Sequence, residues 1–161
     1  MDMKTKATPQ SPLAALADPS LLKTDGLING AWVAGDGRFE VHDPSTGEVL
    51  AQVANLQASH AEQAIVAANQ AWPAWRQLTA KARSQLLRQW FDLLMAHVDD
   101  LARILTAEQG KPYPEAKGEI AYGASFVEWY AEEAKRVNGE TLPPFDNNRR
   151  LMVIQQPIGV C

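Results

Sequence analysis

A single cysteine, Cys161, rules out any internal disulfide, and the three histidines His42, His60 and His97 are too scattered along the chain to suggest a zinc site. Basic charge is short as well: 15 Lys and Arg against 19 Asp and Glu leave a net charge of -4 at pH 7. A surface of that sign has no footprint for nucleic acid or an anionic membrane, which leaves small molecules and protein partners. No segment approaches the roughly 20 apolar residues of a membrane span, and MDMKTKATPQSPLAALADPSLLKTDG holds no apolar run long enough for a signal peptide. The expectation is a cytoplasmic protein. A glycine-rich nucleotide fingerprint after a strand, a metal cluster and a Ser-His-Asp arrangement are also missing.

What is present begins with a polar, proline-containing stretch over 1–12, expected to be mobile, followed by a short helix or two turns over 13–22. LINGAWV places Asn29-Gly30, a strong hairpin dipeptide, between apolar residues, and FEVHDPSTGEVLAQV reads strand, turn over 44–47, strand. From Ser59 the period changes. Ser59 and Glu62 suggest a capping box, and Ala64, Ile65, Ala68, Ala71 and Trp72 form a helical face that ends at Pro73. Thr79 can cap a second helix with Leu86, Trp90, Leu93 and Leu94 on one side, widened by Leu87, Phe91 and Val98 and expected to be well buried. Asp99 and Asp100 suit the positive end of a third, with Leu101, Ile104 and Leu105 inward.

The stretch QGKP punctuates. Gly110 can take the left-handed conformation that closes a helix, and Pro112 suits the start of the next. A phosphate loop would need a glycine where Leu105 stands and Ser or Thr where Pro112 stands, so Lys111 reads as an exposed turn lysine. In the helix that follows, Ala116, Ile120, Gly123, Val127, Tyr130, Ala134 and Val137 make a small-residue face, while Lys117, Ser125, Glu128, Glu132, Lys135 and Arg136 make a solvated one. Tyr122, Phe126 and Trp129 form a third face, with Glu115, Glu119 and Glu133 alongside. Three large rings on that side must meet another domain, another subunit or a ligand channel. The carboxylate pairs Glu115/Glu119 and Glu128/Glu132 share helical faces, but nothing sets their acidities apart as paired acid–base catalysts require. Cys161 follows the apolar run QPIGV at the very end, with nothing downstream to supply a base or oxyanion donors, and the chain looks cut there.

Taken in order, INGAWV, DPSTGEVLAQV, AWPAWRQLTAKAR, DDLARILTAEQGKPYPEAKGEI, ASFVEWYAEEAKRVNGETLP and VIQQPIGVC closely resemble the N-terminal part of the aldehyde dehydrogenase superfamily, over about 21–161. Within that family the pattern is most similar to bacterial succinate-semialdehyde dehydrogenases. The resemblance implies an α/β parent fold, of which this chain is mainly α-helical with short antiparallel N-terminal strands and a C-terminal strand. It divides the chain into a mobile arm over 1–20, the helical part of the cofactor-binding domain over 21–148, the start of an oligomerisation strand over 149–157 and the start of the nucleotide-binding core over 158–161.

It also implies an NAD- or NADP-dependent oxidation of a small aldehyde by a homodimer or homotetramer, in which a cysteine thiolate adds to the carbonyl and a thioester is hydrolysed. The PWN.P motif, the nucleotide-binding turns, the general-base glutamate and the catalytic cysteine of the family all come later in the sequence, so no catalytic residue and no cofactor binding are expected within 1–161. Cys161 matches a strand position, not the nucleophile. Tyr122, Phe126 and Glu119 match positions at or near the substrate-tunnel wall. Glu108 matches an acidic position that in some relatives joins backbone carbonyls near Val41 and His42 around a monovalent cation, though an ordinary helix-end glutamate fits as well. The alternatives to a succinate-semialdehyde enzyme are a relative for another semialdehyde or an aromatic aldehyde, or a free-standing helical interaction module.

Overall fold

The computed structural model describes residues 11–161. Two 3-10 turns, Pro12–Ala15 and Pro19–Leu21, precede strands β1 (Gly26–Ile28), β2 (Ala31–Val33), β3 (Arg38–His42) and β4 (Val49–Ala54). Helices α1 (Ala58–Gln77), α2 (Ala80–Ala96), α3 (Val98–Gln109) and α4 (Tyr113–Glu133) follow, then β5 (Glu140–Leu142) and β6 (Leu151–Val153). The strands pair as three antiparallel ribbons, β1–β2, β3–β4 and β5–β6. The mainly helical chain with short antiparallel strands agrees with the sequence reading.

Turn chemistry explains the first two ribbons. Asn29 and Gly30 have φ of 49° and 76°, the pair of positive values that a two-residue hairpin matched to strand twist demands. Between β3 and β4 the buried carboxylate of Asp43 accepts from the Ser45 amide at 2.8 Å and its hydroxyl at 2.6 Å. These bonds hold the Asp43 carboxyl below its usual range. The ribbon carries a bulge: Val41 faces Ala51 and His42 faces Val49, so Leu50 is the extra residue.

The helices pack through small side chains. The α4 helix lies against both α2 and α3, and the buried residues on these elements are Ser84, Asp100, Ala102, Ala107, Ala116, Ala124 and Ala131. Alanines at the contact let helix backbones approach closely. Gly110 closes α3 at φ 75°, donating its amide to the Thr106 carbonyl at 2.9 Å. A Cβ there would stand 2.9 Å from Pro44 Cγ, so glycine is needed twice over, for the conformation and for the approach of the β3–β4 turn.

Several expectations are corrected. The first helix begins before Ser59, with His60 Nδ1 accepting from the Gln57 amide at 3.1 Å in place of a Ser59/Glu62 box. It continues through Pro73 to Gln77, because the lost amide interrupts one turn while Ala71, Trp72, Ala74 and Trp75 carry the helix on. In α2 the side turned to α4 runs through Ser84, with Leu87, Phe91 and Leu94 half-buried, whereas Leu86, Trp90 and Leu93 stay exposed. The apolar stripe is wider than one partner helix can cover. On α4 the packed stripe is turned toward Ala124 and Ala131, leaving Gly123, Tyr130 and Val137 exposed.

Within the arm over 1–20, Ala17 and Asp18 are fastened to α3. Asp100 on α3 accepts from the amides of Ala17 at 3.0 Å and Asp18 at 2.8 Å. Residues 1–10 lie outside the described residues. Near the other end, Leu151–Val153 pairs with Glu140–Leu142.

The alanine seam yields opposite outcomes at adjacent positions. Ala124→Leu forces a branched side chain into a helix contact only 1% exposed and should destabilise by about 1–3 kcal/mol. Gly123→Ala adds a methyl that meets nothing within 4 Å and should stabilise by roughly 0.4–1 kcal/mol. Thermal and urea melting of both variants checks the register of α4.

Candidate functional site

Because α4 turns its alanines inward, the opposite side is left bare. Tyr122, Phe126 and Trp129 are 66%, 47% and 64% exposed, and the Tyr122 and Phe126 rings meet edge to face with centroids 4.8 Å apart. Spacings of four and three residues along α4 stack them on one side. With Ser125, Glu128, Glu132, Glu133 and Arg136 they line an open groove of about 780 Å³. Trp129 and the acidic end of this groove are as prominent as the two ring positions matched from the sequence.

Charges around the groove are satisfied by neighbours. Glu128 pairs with Arg88 of α2 at 2.8 Å and Glu133 with Arg136 at 2.8 Å. A hydrogen bond from Lys135, reinforced by its charge, holds the Glu132 carboxyl below its usual range. Glu119 does not line the groove; its carboxylate is engaged by Lys111, the turn lysine expected to be exposed, which is half-buried. The structure thus brings Tyr122 and Phe126 together and leaves Glu119 apart.

At the start of α4 the Asp99 carboxylate accepts from Lys117 at 2.7 Å and from the Tyr113 hydroxyl at 2.5 Å. Those bonds lower the pKa of Asp99 and raise those of Tyr113 and Lys117. A tyrosine pushed up is poorly suited to give or take protons near neutrality, so this trio clamps α3 to α4. Among the described residues, the hydrogen bonds that Asp18, Asp43, Asp99, Asp100 and Glu132 accept hold their carboxyls below the usual range. A general acid needs the reverse.

The second candidate group behaves differently. Val41 and Glu108 line a common cavity of about 50 Å³ with Leu13, Leu22, Leu50, Val53 and Ile104. The bulged Leu50 is among its walls. His42 is not: its ring turns away, Nδ1 to the Gly47 carbonyl at 3.1 Å and Nε2 to Glu40 at 3.2 Å. Glu108 is the one carboxylate on the lining and Lys23 the one cation. No group of three or more His, Cys, Asp or Glu side chains able to hold a metal occurs among the described residues. Cys161 is exposed, its sulfur 3.8 Å from the Gly159 carbonyl. Among the described residues no helix is long and apolar enough to cross a membrane.

Residues 32–161 match the aldehyde dehydrogenase family. A glutarate-semialdehyde dehydrogenase of Pseudomonas aeruginosa is 51% identical over 147 residues, covering 90% of this chain and 30% of that protein. The succinate-semialdehyde dehydrogenase [NADP(+)] GabD of Escherichia coli is 53% identical over the same length, with 90% and 30% covered. The crystal structure of a succinate-semialdehyde dehydrogenase from Burkholderia pseudomallei superposes with a TM-score of 0.89 at 56% identity, covering 91% of this chain and 31% of that one. The chain therefore spans about 30% of the length of the relatives it matches.

An exposed ring strip of this size should drive association. Sedimentation of the chain at micromolar concentration is expected to show oligomers, and Phe126→Asp with Trp129→Asp to shift them toward monomer without loss of helix by circular dichroism. A monomeric unaltered chain would show that the strip tolerates water.

Proposed function

The chain belongs to the aldehyde dehydrogenase family, and from that premise we propose that it is the N-terminal portion of an NAD- or NADP-dependent dehydrogenase that oxidises succinate semialdehyde to succinate. The observation that carries the reading is identity of 53% over 147 residues with a relative named for that substrate. Glutarate semialdehyde is the second reading, supported by the relative at 51%. Both are short aldehydes ending in a carboxylate, so they differ by chain length and not by chemistry.

Within this reading the described residues bind and shape. Tyr122 and Phe126 supply apolar wall for the carbon chain of the aldehyde, and Trp129 extends it. The groove's one cation, Arg136, is neutralised by Glu133, so the groove supplies no free positive charge for the substrate carboxylate. Glu119 serves as partner to Lys111 and not as wall. The Glu108 carboxylate and main-chain carbonyls near Val41 and His42 would hold a monovalent cation through oxygen donors. The nicotinamide, when bound to the complete enzyme, accepts the hydride. The nucleophile and its base belong to later sequence, and assembly is as a homodimer or homotetramer.

Two outcomes follow. Purified 1–161 should produce no NADH or NADPH from succinate semialdehyde; steady production abolished by Cys161→Ser would overturn the assignment of catalysis to later sequence. In an enzyme carrying this chain at its N-terminus, Phe126→Ala should change the ranking of succinate, glutarate and aromatic aldehydes by kcat/KM, by about 1–3 kcal/mol of discrimination. If the ring is inter-domain core instead, the ranking should hold while melting falls by a cavity cost of roughly 3–5 kcal/mol.

A further inference from the structure

We propose that residues 11–22 form a strap, latched by Asp100, whose opening exposes the cavity between the β3–β4 ribbon and α3. The proposal stands on geometry alone and is independent of the catalytic reading. Among the described residues, the hydrogen bonds that tie 11–22 to the rest of the chain are the two to Asp100, Oδ1 from the Ala17 amide at 3.0 Å and Oδ2 from the Asp18 amide at 2.8 Å. Both oxygens of a carboxylate that is 4% exposed are thereby committed to a segment more than eighty residues away in sequence, with Arg103 standing 3.6 Å off on the same helix.

The strap is built to move as a piece. Each of its 3-10 turns closes on itself, Leu16 to the Leu13 carbonyl at 3.3 Å and Leu22 to the Pro19 carbonyl at 3.2 Å. Ser11 and Asp18 cap those turns from within the strap, and neither turn holds a buried residue. Just beyond its end the chain is pinned, the Thr24 carbonyl accepting from the Ala54 amide at 2.8 Å. A pinned base near Thr24, a hydrogen-bonded latch at Ala17 and Asp18 and the seat of the Pro12–Ala15 turn on α3 are the parts of a hinged cover. Leu13 and Leu22, from the strap, face Val41, Leu50, Ile104 and Glu108 across the cavity. With the latch released, the Pro12–Ala15 turn has only its packing on α3 to hold it, and lifting it opens that wall without unpairing a strand or unwinding a helix.

The test uses the whole chain. Val41→Cys in a Cys161→Ser background puts one thiol on the cavity wall, and its maleimide labelling rate is compared with that of exposed Cys161 in the unaltered chain. With the latch intact the introduced thiol should react slowly. Adding Asp100→Ala, or Ala17→Pro, which removes one latch donor and leaves Asp100 in place, should accelerate labelling by about tenfold or more, with helix content unchanged. Hydrogen exchange on the unaltered chain gives a second reading. The amides of 13–22 should exchange as a unit, well before those of α3 and α4. Labelling rates within about twofold of one another in folded variants, or strap amides that exchange only with the helices, would overturn the proposal and leave Asp100 as a fixed staple.

Discussion

Close contact through alanine is the constraint on which the rest depends. The hydrophobic residues that this chain buries are Ala54, Ala102, Ala107, Ala116, Ala124 and Ala131, and no large side chain is fully enclosed among the described residues. Alanine contributes little transfer free energy by itself, but it lets α4 sit close to α2 and α3, where dispersion over matched backbones adds up. Once that seam is in register, every other position of α4 is assigned. The face away from the seam must carry Tyr122, Phe126 and Trp129, and the ends of the seam must be closed by pairs such as Arg88–Glu128 and Lys117–Asp99.

The same economy explains how polar groups are used. Asp100 is a helix-start acid in the local sense, yet its environment makes it the fastening for a distant segment. Amide donors on both oxygens hold its carboxyl below the ordinary carboxylate range. Asp43 does for the β3–β4 turn what Asp100 does for 11–20, organising a short stretch by accepting from it. Apolar burial is thin here, so charge-assisted hydrogen bonds carry the placement of loops.

Much of this is legible from residue patterns. Asn29-Gly30, Thr79, Gly110 and Pro112 each mark a boundary by a local conformational demand, and the structure turns, starts or ends an element at each of them. Long-range choices are not legible. A stripe of Leu86, Trp90 and Leu93 has the period of a core face, but which side meets α4 depends on where the alanines of α4 point, and a difference of one residue between Gly123 and Ala124 turns the face. No local signal announces that Asp100 will reach Ala17, or that Lys111 will draw Glu119 away from the rings.

Exposed rings and downward-shifted carboxylates point the same way. Proton transfer near neutrality calls for a group whose acidity lies there, and the carboxyls of Asp99, Asp100 and Glu132 are held further from it by the bonds they accept. A surface that shapes a substrate path needs rigid apolar walls with their charges already neutralised, so that no unpaired charge is buried when the path closes. Tyr122 and Phe126, braced against each other and flanked by Glu128 and Glu133 with their arginines, meet the second requirement and not the first. The proposed reading rests on that division: in it these residues would shape a path as apolar wall, and reactive groups held elsewhere in the enzyme would be positioned against them without competition for protons.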